Sequence, residues 1–166
     1  MPMHDFPRIK LDDLRADFPG VFDSARWVDV GVGWLPIVRN FVTEALPHDP
    51  SLVVHEIKEK FGTMRIWCDT PVLAARLAKA KAEMKSAYTC EVCGAEGFVR
   101  RPPPGKWAWW RCLCDEHASP DQRSWPQRDP GKLTGMMQTR GGQWYRYDRE
   151  ADEMVPSDPP EGWSRR

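Results

Sequence analysis

The chain has 166 residues, a length that suits one domain of about 100 to 150 residues with an appendage and excludes two full-sized domains. Its 24 basic and 24 acidic side chains cancel, so nucleic acid or a membrane could bind only through a local patch. No apolar run reaches about 18 residues, and the N-terminus lacks the apolar core of a signal peptide. We therefore expect a cytoplasmic protein that does not bind membranes.

The first predicted element is a helix that follows Gly33. Apolar residues recur after it at intervals of three and four, which is the spacing of one helix face. They are Trp34, Leu35, Ile37, Val38, Phe41, Val42 and Leu46. Pro36 comes early enough to be tolerated in the first turn, and Pro47 ends the helix.

The next segment has the period of two that is typical of β-strands. An extended run begins at Val54, a short turn is predicted at 61–63, and apolar and polar residues then alternate up to Asp69. Cys68 lies on the apolar face of the second strand, where we expect a small buried residue. The charged residues 58–60 before the turn fit either a solvated hairpin tip or a recognition edge.

A second helix is predicted after the hairpin. Thr70 is a typical N-cap residue, and Pro71 would occupy the first helical position. The apolar residues at helical spacing are Leu73, Leu77, Ala80, Met84 and Ala87. Three lysines are expected on the solvated side: Lys79, Lys81 and Lys85.

Four of the five cysteines lie close together in the sequence. Cys90 and Cys93 form one pair, eighteen residues separate Cys93 from Cys112, and Cys114 and His117 follow. In an intracellular chain such pairs favour a metal over disulfides, because they bring soft ligands to one tetrahedral ion. Zinc is the predicted metal.

Five side chains compete for four ligand positions. Spacing favours the set with two intervening residues in each pair, which is Cys90, Cys93, Cys114 and His117. A set in which Cys112 replaces His117 is the alternative, although only one residue separates Cys112 from Cys114 in that set. Four protein ligands leave no position for water, so we expect a structural site that stabilises the fold.

A strand, a turn and a strand are predicted between the ligand pairs, at 98–101, 102–105 and 106–111, as in a zinc ribbon. This hairpin carries four bases and no acid, interleaved with tryptophans. Bases beside stacking aromatics suit single-stranded nucleic acid. The candidate binding residues are Arg100, Arg101, Lys106, Trp107 and Trp109. The alternative interpretation packs Trp107 and Trp109 against the second helix.

Residues beyond 118 are interpreted as an appendage. Prolines and Gly131 interrupt any periodicity over 119–142, which predicts a linker or a long loop. Within 143–166, aromatic and apolar residues around an acidic turn predict a small β-hairpin followed by a flexible tail.

The common signatures of catalysis are missing from the sequence. His55-Glu56 lacks the second histidine of a zinc protease motif, since Glu59 stands in its place. A zinc deaminase carries proline before its first cysteine, whereas Thr89 precedes Cys90. A Gly-rich phosphate loop and a G-x-S-x-G motif are also missing. We therefore expect a protein that is not an enzyme.

Several short motifs follow one another between residues 33 and 118. They are Gly33-Trp34, Lys58-Glu59-Lys60-Phe61-Gly62 with Arg65, Cys90-Glu91-x-Cys93-Gly94-x-x-Gly97 and Cys114-Asp115-x-His117-Ala118. This order resembles a group of small, uncharacterised bacterial and prophage-type proteins, which carry a KEKFG-x-x-R segment ahead of a CxxC…CxxH zinc knuckle pair. The resemblance implies the ligands Cys90, Cys93, Cys114 and His117, makes Cys112 an extra cysteine and implies no activity. Val32 departs from it, because an aspartate is expected before Gly-Trp.

Together these patterns predict an α+β fold. A small helix and β-hairpin domain over 5–118 is closed by a zinc-ribbon-like module at about 88–118, and a loop-rich C-terminal appendage follows. The leading hypothesis is a non-enzymatic, zinc-containing binding protein, a regulatory or accessory factor of prophage-like origin whose partner is another protein. The alternative is a nucleic-acid-binding zinc ribbon that uses the basic Trp-rich hairpin.

Overall fold

The computed structural model describes residues 6–128 and 136–163. Within these ranges the chain is a mixed α+β protein with four helices and three small sheets. The helices are α1 (Leu11–Asp17), α2 (Leu35–Ala45), α3 (Leu73–Ser86) and α4 (Pro120–Arg123). The strands are β1 (Trp27–Asp29), β2 (Val53–Lys60), β3 (Thr63–Asp69), β4 (Phe98–Arg100), β5 (Arg111–Leu113), β6 (Gln127–Arg128), β7 (Met136–Gln138), β8 (Trp144–Asp148) and β9 (Glu153–Ser157). None of the helices in the described ranges is long and apolar enough to cross a bilayer.

The first sheet contains the predicted hairpin and one additional strand. Its order is β1-β2-β3, with β1 parallel and β3 antiparallel to the central β2. Side chains alternate between the two faces, so Val28, Ile57 and Ile66 form one row, and all three are buried in the main core. The predicted hairpin is confirmed, and its turn lies at Phe61 and Gly62.

The first predicted helix is confirmed as α2. Pro36 lies in its first turn, where a missing N–H is tolerated. The buried residues of α2 are Ile37, Val38, Phe41, Val42 and Ala45. They join the buried row of the first sheet in one continuous core.

The second predicted helix is α3, but its start and its buried face differ from the prediction. The helix starts at Leu73, and Thr70 Oγ1 instead accepts from the Val72 N–H and donates to Asp49. Leu73 is 40% exposed. The buried residues are mostly small: Ala75, Ala78, Ala82, Met84 and Ser86. Small side chains on this face allow α3 to pack closely against its neighbours. The buried face is therefore the one with small residues, and not the predicted face that contains Leu73.

The lysines of α3 are held in ion pairs. Lys79 pairs with Glu83 at 3.2 Å, and Lys81 pairs with Glu44 on α2 at 2.5 Å. Lys85 contacts Asp152 at 2.6 Å. The Lys81 and Lys85 contacts fasten α3 to α2 and to the turn between β8 and β9, whereas the Lys79 pair lies within α3. The predicted solvated face is therefore only partly exposed.

The second sheet has the order β5-β4-β6 and corrects two predictions. Residues 101–110 form a loop, and β5 begins only at Arg111, because three consecutive prolines remove backbone donors. β6 pairs with β4 from within the predicted linker, and α4 precedes it. Residues 119–128 therefore belong to the folded unit.

The third sheet has the order β7-β8-β9, in which β8 and β9 correspond to the predicted C-terminal hairpin. β7 also falls within the predicted linker. The sheet is tied to the main body by Lys85 with Asp152, and by Arg149 with Glu96 at 2.8 Å. Residues 129–135 of the predicted linker and 164–166 of the predicted tail lie outside the described residues.

Candidate metal centre and its surroundings

Three cysteines and one histidine converge beside the second sheet. The ligand atoms of Cys90, Cys93, Cys114 and His117 all lie within 4.8 Å of one another. Cys93 Sγ is 3.8 Å from Cys114 Sγ, and His117 Nδ1 is 3.2 Å from Cys114 Sγ and 3.8 Å from Cys90 Sγ. The four residues could hold one metal ion.

The distances fit a tetrahedral ion with thiolate ligands. A Zn–S bond of about 2.3 Å places two sulfurs on a tetrahedron about 3.8 Å apart. The separation of the Cys93 and Cys114 sulfurs matches this value. Because Nδ1 is the ring nitrogen that faces the sulfurs, His117 would bind through this atom.

Two short knuckles present the ligands. The first follows α3 and turns at Gly94, whose φ of +79° is in the left-handed region that favours glycine. The Gly94 N–H donates to the Cys90 carbonyl at 2.9 Å, which closes the turn. The second follows β5, and the Ala118 N–H donates to the Cys114 carbonyl at 3.0 Å.

The first knuckle is anchored to the residues that lead into α2. The Gly33 N–H donates to the Glu91 carbonyl at 2.9 Å, and Trp34 Nε1 donates to the Thr89 carbonyl at 2.7 Å. A Cβ atom at Gly33 would overlap the Cys90 carbonyl, so only glycine allows this approach. The Gly33-Trp34 motif therefore positions the metal ligands.

The local environment prepares Cys114 for a ligand role. Burial opposes ionisation of this thiol, but hydrogen bonds from the side chain and backbone of His117 lower its pKa to about 7. A metal-binding cysteine must be a thiolate and a metal-binding imidazole neutral, so metal binding at this cluster would release protons.

Cys112 and Cys68 lie outside the cluster. Cys112 is fully buried in the main core, pairs with Val99 across the second sheet, and has a pKa raised by burial. Cys68 is half-buried, and burial raises its pKa to about 11. Both behave as small apolar residues, so Cys112 is not one of the four grouped ligands.

A buried carboxylate lies between the two cysteines of the first knuckle. Glu91 is completely buried and accepts from Arg8 at 3.2 Å, from Arg111 at 3.1 Å and from the Gly31 N–H at 3.2 Å. The Phe6 ring lies beneath both guanidinium groups, at 5.2 Å from Arg8 and 5.1 Å from Arg111. This network links the N-terminal segment, the knuckle and β5.

The predicted binding residues do not share one surface. Arg100 is only 1% exposed and donates to Asp115 at 2.6 Å, so it must be removed from the candidate binding surface. Lys106 is paired with Asp121, and the Arg101 guanidinium lies 5.3 Å over the Trp110 ring. The paired and buried cations leave less free positive charge than the sequence suggests.

The aromatic residues of the loop are exposed. Trp107 is fully exposed and Trp109 is 58% exposed, so the alternative that packed both against the second helix is wrong. A cleft of about 630 Å³ lies beside the loop, α4 and the second knuckle. Its lining includes Phe6, Trp107, Trp109, Trp125 and His117. The candidate metal centre and this aromatic cleft are therefore adjacent.

The KEKFG segment forms the contact between the first and second sheets. The Gly62 N–H donates to Glu59 Oε1 at 2.6 Å, and the Phe61 ring lies 5.3 Å from the Trp110 ring. A Cβ at Gly62 would lie 2.9 Å from Val99 Cγ1. Lys58, Lys60 and Phe61 are exposed, so the end of this hairpin is solvated as predicted although its turn contacts the second sheet.

Sequence reasoning missed several residues of this region. Phe6, Arg8 and Trp125 reach the site from outside the two knuckles, and no local motif marks them. In the sequence, Glu91 stands out only as part of the Cys90-Glu91-x-Cys93 motif. An acid between two cysteine ligands was the available signal, but its burial depends on arginines distant in sequence.

The chain matches no protein-family model, no curated protein and no solved structure.

Proposed function

We propose that this chain is a non-enzymatic, zinc-containing interaction protein that presents the aromatic cleft to another protein. The observation that carries the proposal is the fully exposed Trp107 beside a Cys₃His cluster that is bonded to the core. In keeping with the prophage-type resemblance, it would act as a cytoplasmic accessory or regulatory factor.

Zinc is the metal that this ligand set favours. Three thiolates and one imidazole in tetrahedral arrangement are typical of structural zinc sites. With the four positions filled by protein, no site remains for a water nucleophile, which supports a structural role. The two knuckles flank the β4 and β5 pair, so the module is proposed to be zinc-ribbon-like, with β6 as an additional strand.

Metal analysis tests the zinc proposal. Purified protein is expected to contain one zinc per chain by plasma mass spectrometry, and Cys114→Ala and His117→Ala are expected to lose it. Cys112→Ala is the matched control, because its thiol is outside the cluster, and it should keep one zinc. Metal retention in His117→Ala with loss in Cys112→Ala would instead support the alternative ligand set.

A protein partner explains the exposed aromatic residues of the loop. Tryptophan is enriched at the energetic centres of protein interfaces, where it supplies a large apolar surface. Trp107 and Trp109 line one cleft together with Phe6 and the largely buried Trp125, so a partner would meet two exposed rings beside a concave surface. Nucleic acid on this same loop has less support, because Arg100 is buried and Lys106 is paired.

Affinity capture from a native-host lysate tests the protein partner. The bait is compared with Trp107→Ala/Trp109→Ala, and Trp163→Ala serves as a control for an exposed tryptophan at another site. Half of each lysate is treated with nuclease. A stoichiometric protein that survives nuclease and is lost only with the loop variant is the expected result. Capture that is equal for all three baits would contradict the proposed surface.

A further inference from the structure

A second aromatic surface lies on the outer face of the first sheet. Trp27 is aligned with Glu56, and Glu56 with Trp67, so the three side chains form one row across β1, β2 and β3. This row faces away from the buried row of Val28, Ile57 and Ile66. Trp27 is 49% and Trp67 is 53% exposed, although both are in strands with a complete core behind them.

Two unpaired arginines accompany these tryptophans. Asp29 pairs with Arg8, which also contacts Glu91, and Glu56 pairs with Lys58. Asp69 is hydrogen-bonded to His55. Arg26 lies 6.0 Å over the Trp67 ring, and Arg65 donates only to Thr63 Oγ1 and the Met64 carbonyl. Within the described residues neither arginine has an acidic partner, so both guanidinium groups are available to an anionic ligand.

The β3 edge of the first sheet does not offer a site for an added strand. Ser86 Oγ accepts from the Met64 N–H at 2.8 Å, and Glu83 Oε1 accepts from the Ile66 N–H at 2.8 Å. These side chains of α3 occupy the outward donors of β3 that an incoming strand would need. A ligand on this side of the sheet would therefore contact the outer face and not the β3 edge.

We propose that this face binds single-stranded nucleic acid, independently of the protein partner at the loop. Bases stack on Trp27 and Trp67, and phosphates contact Arg26 and Arg65. Exposed aromatics beside cations provide both contributions that such strands need. The two tryptophans lie on strands that flank β2, about 9.5 Å apart, so the bases are splayed across the sheet.

Fluorescence anisotropy of labelled, mixed-sequence 20-mers tests the proposal, with one DNA arm and one RNA arm. Zinc-loaded full-length protein is titrated at 50 mM salt. Trp27→Ala and Trp67→Ala should each weaken binding about tenfold, and Trp67→Phe should restore most of it by stacking. Trp107→Ala and Trp163→Ala are the controls, and they should bind like the wild type.

The salt dependence gives a second, independent readout. Each phosphate contact on a single strand contributes about 0.7 to the slope of log affinity against log salt. Arg26→Ala/Arg65→Ala should therefore reduce that slope by about 1.4, while thermal unfolding stays within a few degrees of the wild type.

Three outcomes would overturn the proposal. The first is that neither 20-mer binds at 100 µM protein. The second is that Trp107→Ala loses binding while Trp67→Ala binds like the wild type. The third is that a duplex of the same length binds with equal affinity. Both proposals stand if only the loop variant loses the protein in lysate capture and only the sheet variants lose the 20-mers. Each proposal can therefore fail without the other. Preference of one arm identifies DNA or RNA as the ligand.

Discussion

Glu91 links three segments around the candidate metal centre and is not one of its grouped ligands. Its carboxylate is completely buried and accepts from two arginines and one backbone N–H, which satisfies most of its lone pairs. A buried charge is tolerated when it is paired and hydrogen-bonded in this way. Arg8 belongs to the N-terminal segment, Gly31 to the loop before α2, and Arg111 to strand β5. A single side chain therefore holds three segments around the first knuckle.

Glu91→Gln should reduce the free energy of unfolding by about 3 kcal/mol, because it leaves Arg8 and Arg111 near an uncharged amide. The variant keeps the shape of the side chain, so the loss reports charge and hydrogen bonding. Urea unfolding of the zinc-loaded protein measures the effect. Glu116→Gln, on the exposed part of the second knuckle, is the control and should change the free energy by less than about 0.5 kcal/mol. Equal effects of both variants would contradict the role of Glu91.

Glu59 makes stability depend on pH in the opposite direction from most carboxylates. Burial raises its pKa, even though the Gly62 N–H donates to it. As pH rises above the ordinary pKa of glutamate, the unfolded chain ionises first, so the folded state loses relative stability. Glu59→Gln keeps the acceptor for Gly62 and removes this ionisation.

The stability of Glu59→Gln relative to the wild type should therefore increase as pH rises from about 4 to 7. Chemical unfolding at several pH values measures the difference between the two proteins, which cancels the titration of the shared metal ligands. A difference that stays constant over this range would show that Glu59 ionises normally in the folded state.

At the scale of elements, the turn between β2 and β3 connects the first two sheets. Phe61 and Gly62 both have positive φ, at +53° and +76°, which is uncommon for a bulky residue such as phenylalanine. The Phe61 ring contacts Trp110, and Gly62 packs against Val99 and the Arg111 backbone. The contact with the second sheet explains why the turn keeps this conformation.

Gly62→Ala and Gly105→Ala separate packing from backbone conformation. Both glycines have positive φ, +76° and +82°, but a Cβ at Gly105 would meet nothing within 4 Å. Gly105→Ala should lower the free energy of unfolding by about 1 kcal/mol, the usual cost of left-handed backbone. Gly62→Ala should lower it by about 2 to 4 kcal/mol, because overpacking against Val99 is added. Thermal and urea unfolding measure both, and equal losses would show that the sheets do not meet at this turn.

The sequence predicted the elements that carry a local signal. α2 has a regular apolar face, and the hairpin has a clear period of two around its glycine turn. The grouped metal ligands follow from two short spacings. β1 has only three residues and pairs with a strand far along the chain, so no periodicity marks it. The buried face of α3 depends on neighbouring elements, because alanines occur around much of the helix.

The surfaces were harder to predict than the elements. Arg100 and Arg101 are adjacent in the sequence, yet Arg100 is buried against Asp115 and Arg101 is exposed. Trp27 and Trp67 belong to different strands, and strand pairing places them on either side of Glu56. Charge and aromatic content along the chain therefore indicated a binding function without indicating which side chains share a surface.

At the scale of the whole molecule, the short motifs between residues 33 and 118 lie along contacts between the α/β core and the Cys₃His cluster. Gly33 and Trp34 bond the first knuckle, Gly62 meets the second sheet, and Asp115 pairs with buried Arg100. These residues join the α/β core to the metal module. The main core extends into the second sheet through Val99 and Cys112, so loss of the metal should disturb more than the two knuckles.

The folded unit of this module extends past residue 118, because residues 119–128 complete the second sheet. β6 pairs with β4, and Trp125 is only 6% exposed. Ser119 caps α4 through a reciprocal pair with Gln122, whose carbonyl lies 3.5 Å from Arg100 Nη1. A chain that ends at Ala118 would leave β4 with an open edge and Arg100 without this neighbour.

Two truncations locate the boundary. A chain of residues 1–128 should keep one zinc and unfold cooperatively, since it retains β6 and Trp125. A chain of residues 1–118 should melt at least about 5 °C lower, because burial of a large aromatic side chain contributes about 2 to 3 kcal/mol. Both lack the third sheet, so the loss of the Lys85 contact with Asp152 is common to them and cancels in the comparison. Equal melting temperatures and zinc contents would place the boundary at 118, whereas the pairing of β6 with β4 predicts that it lies after Arg128.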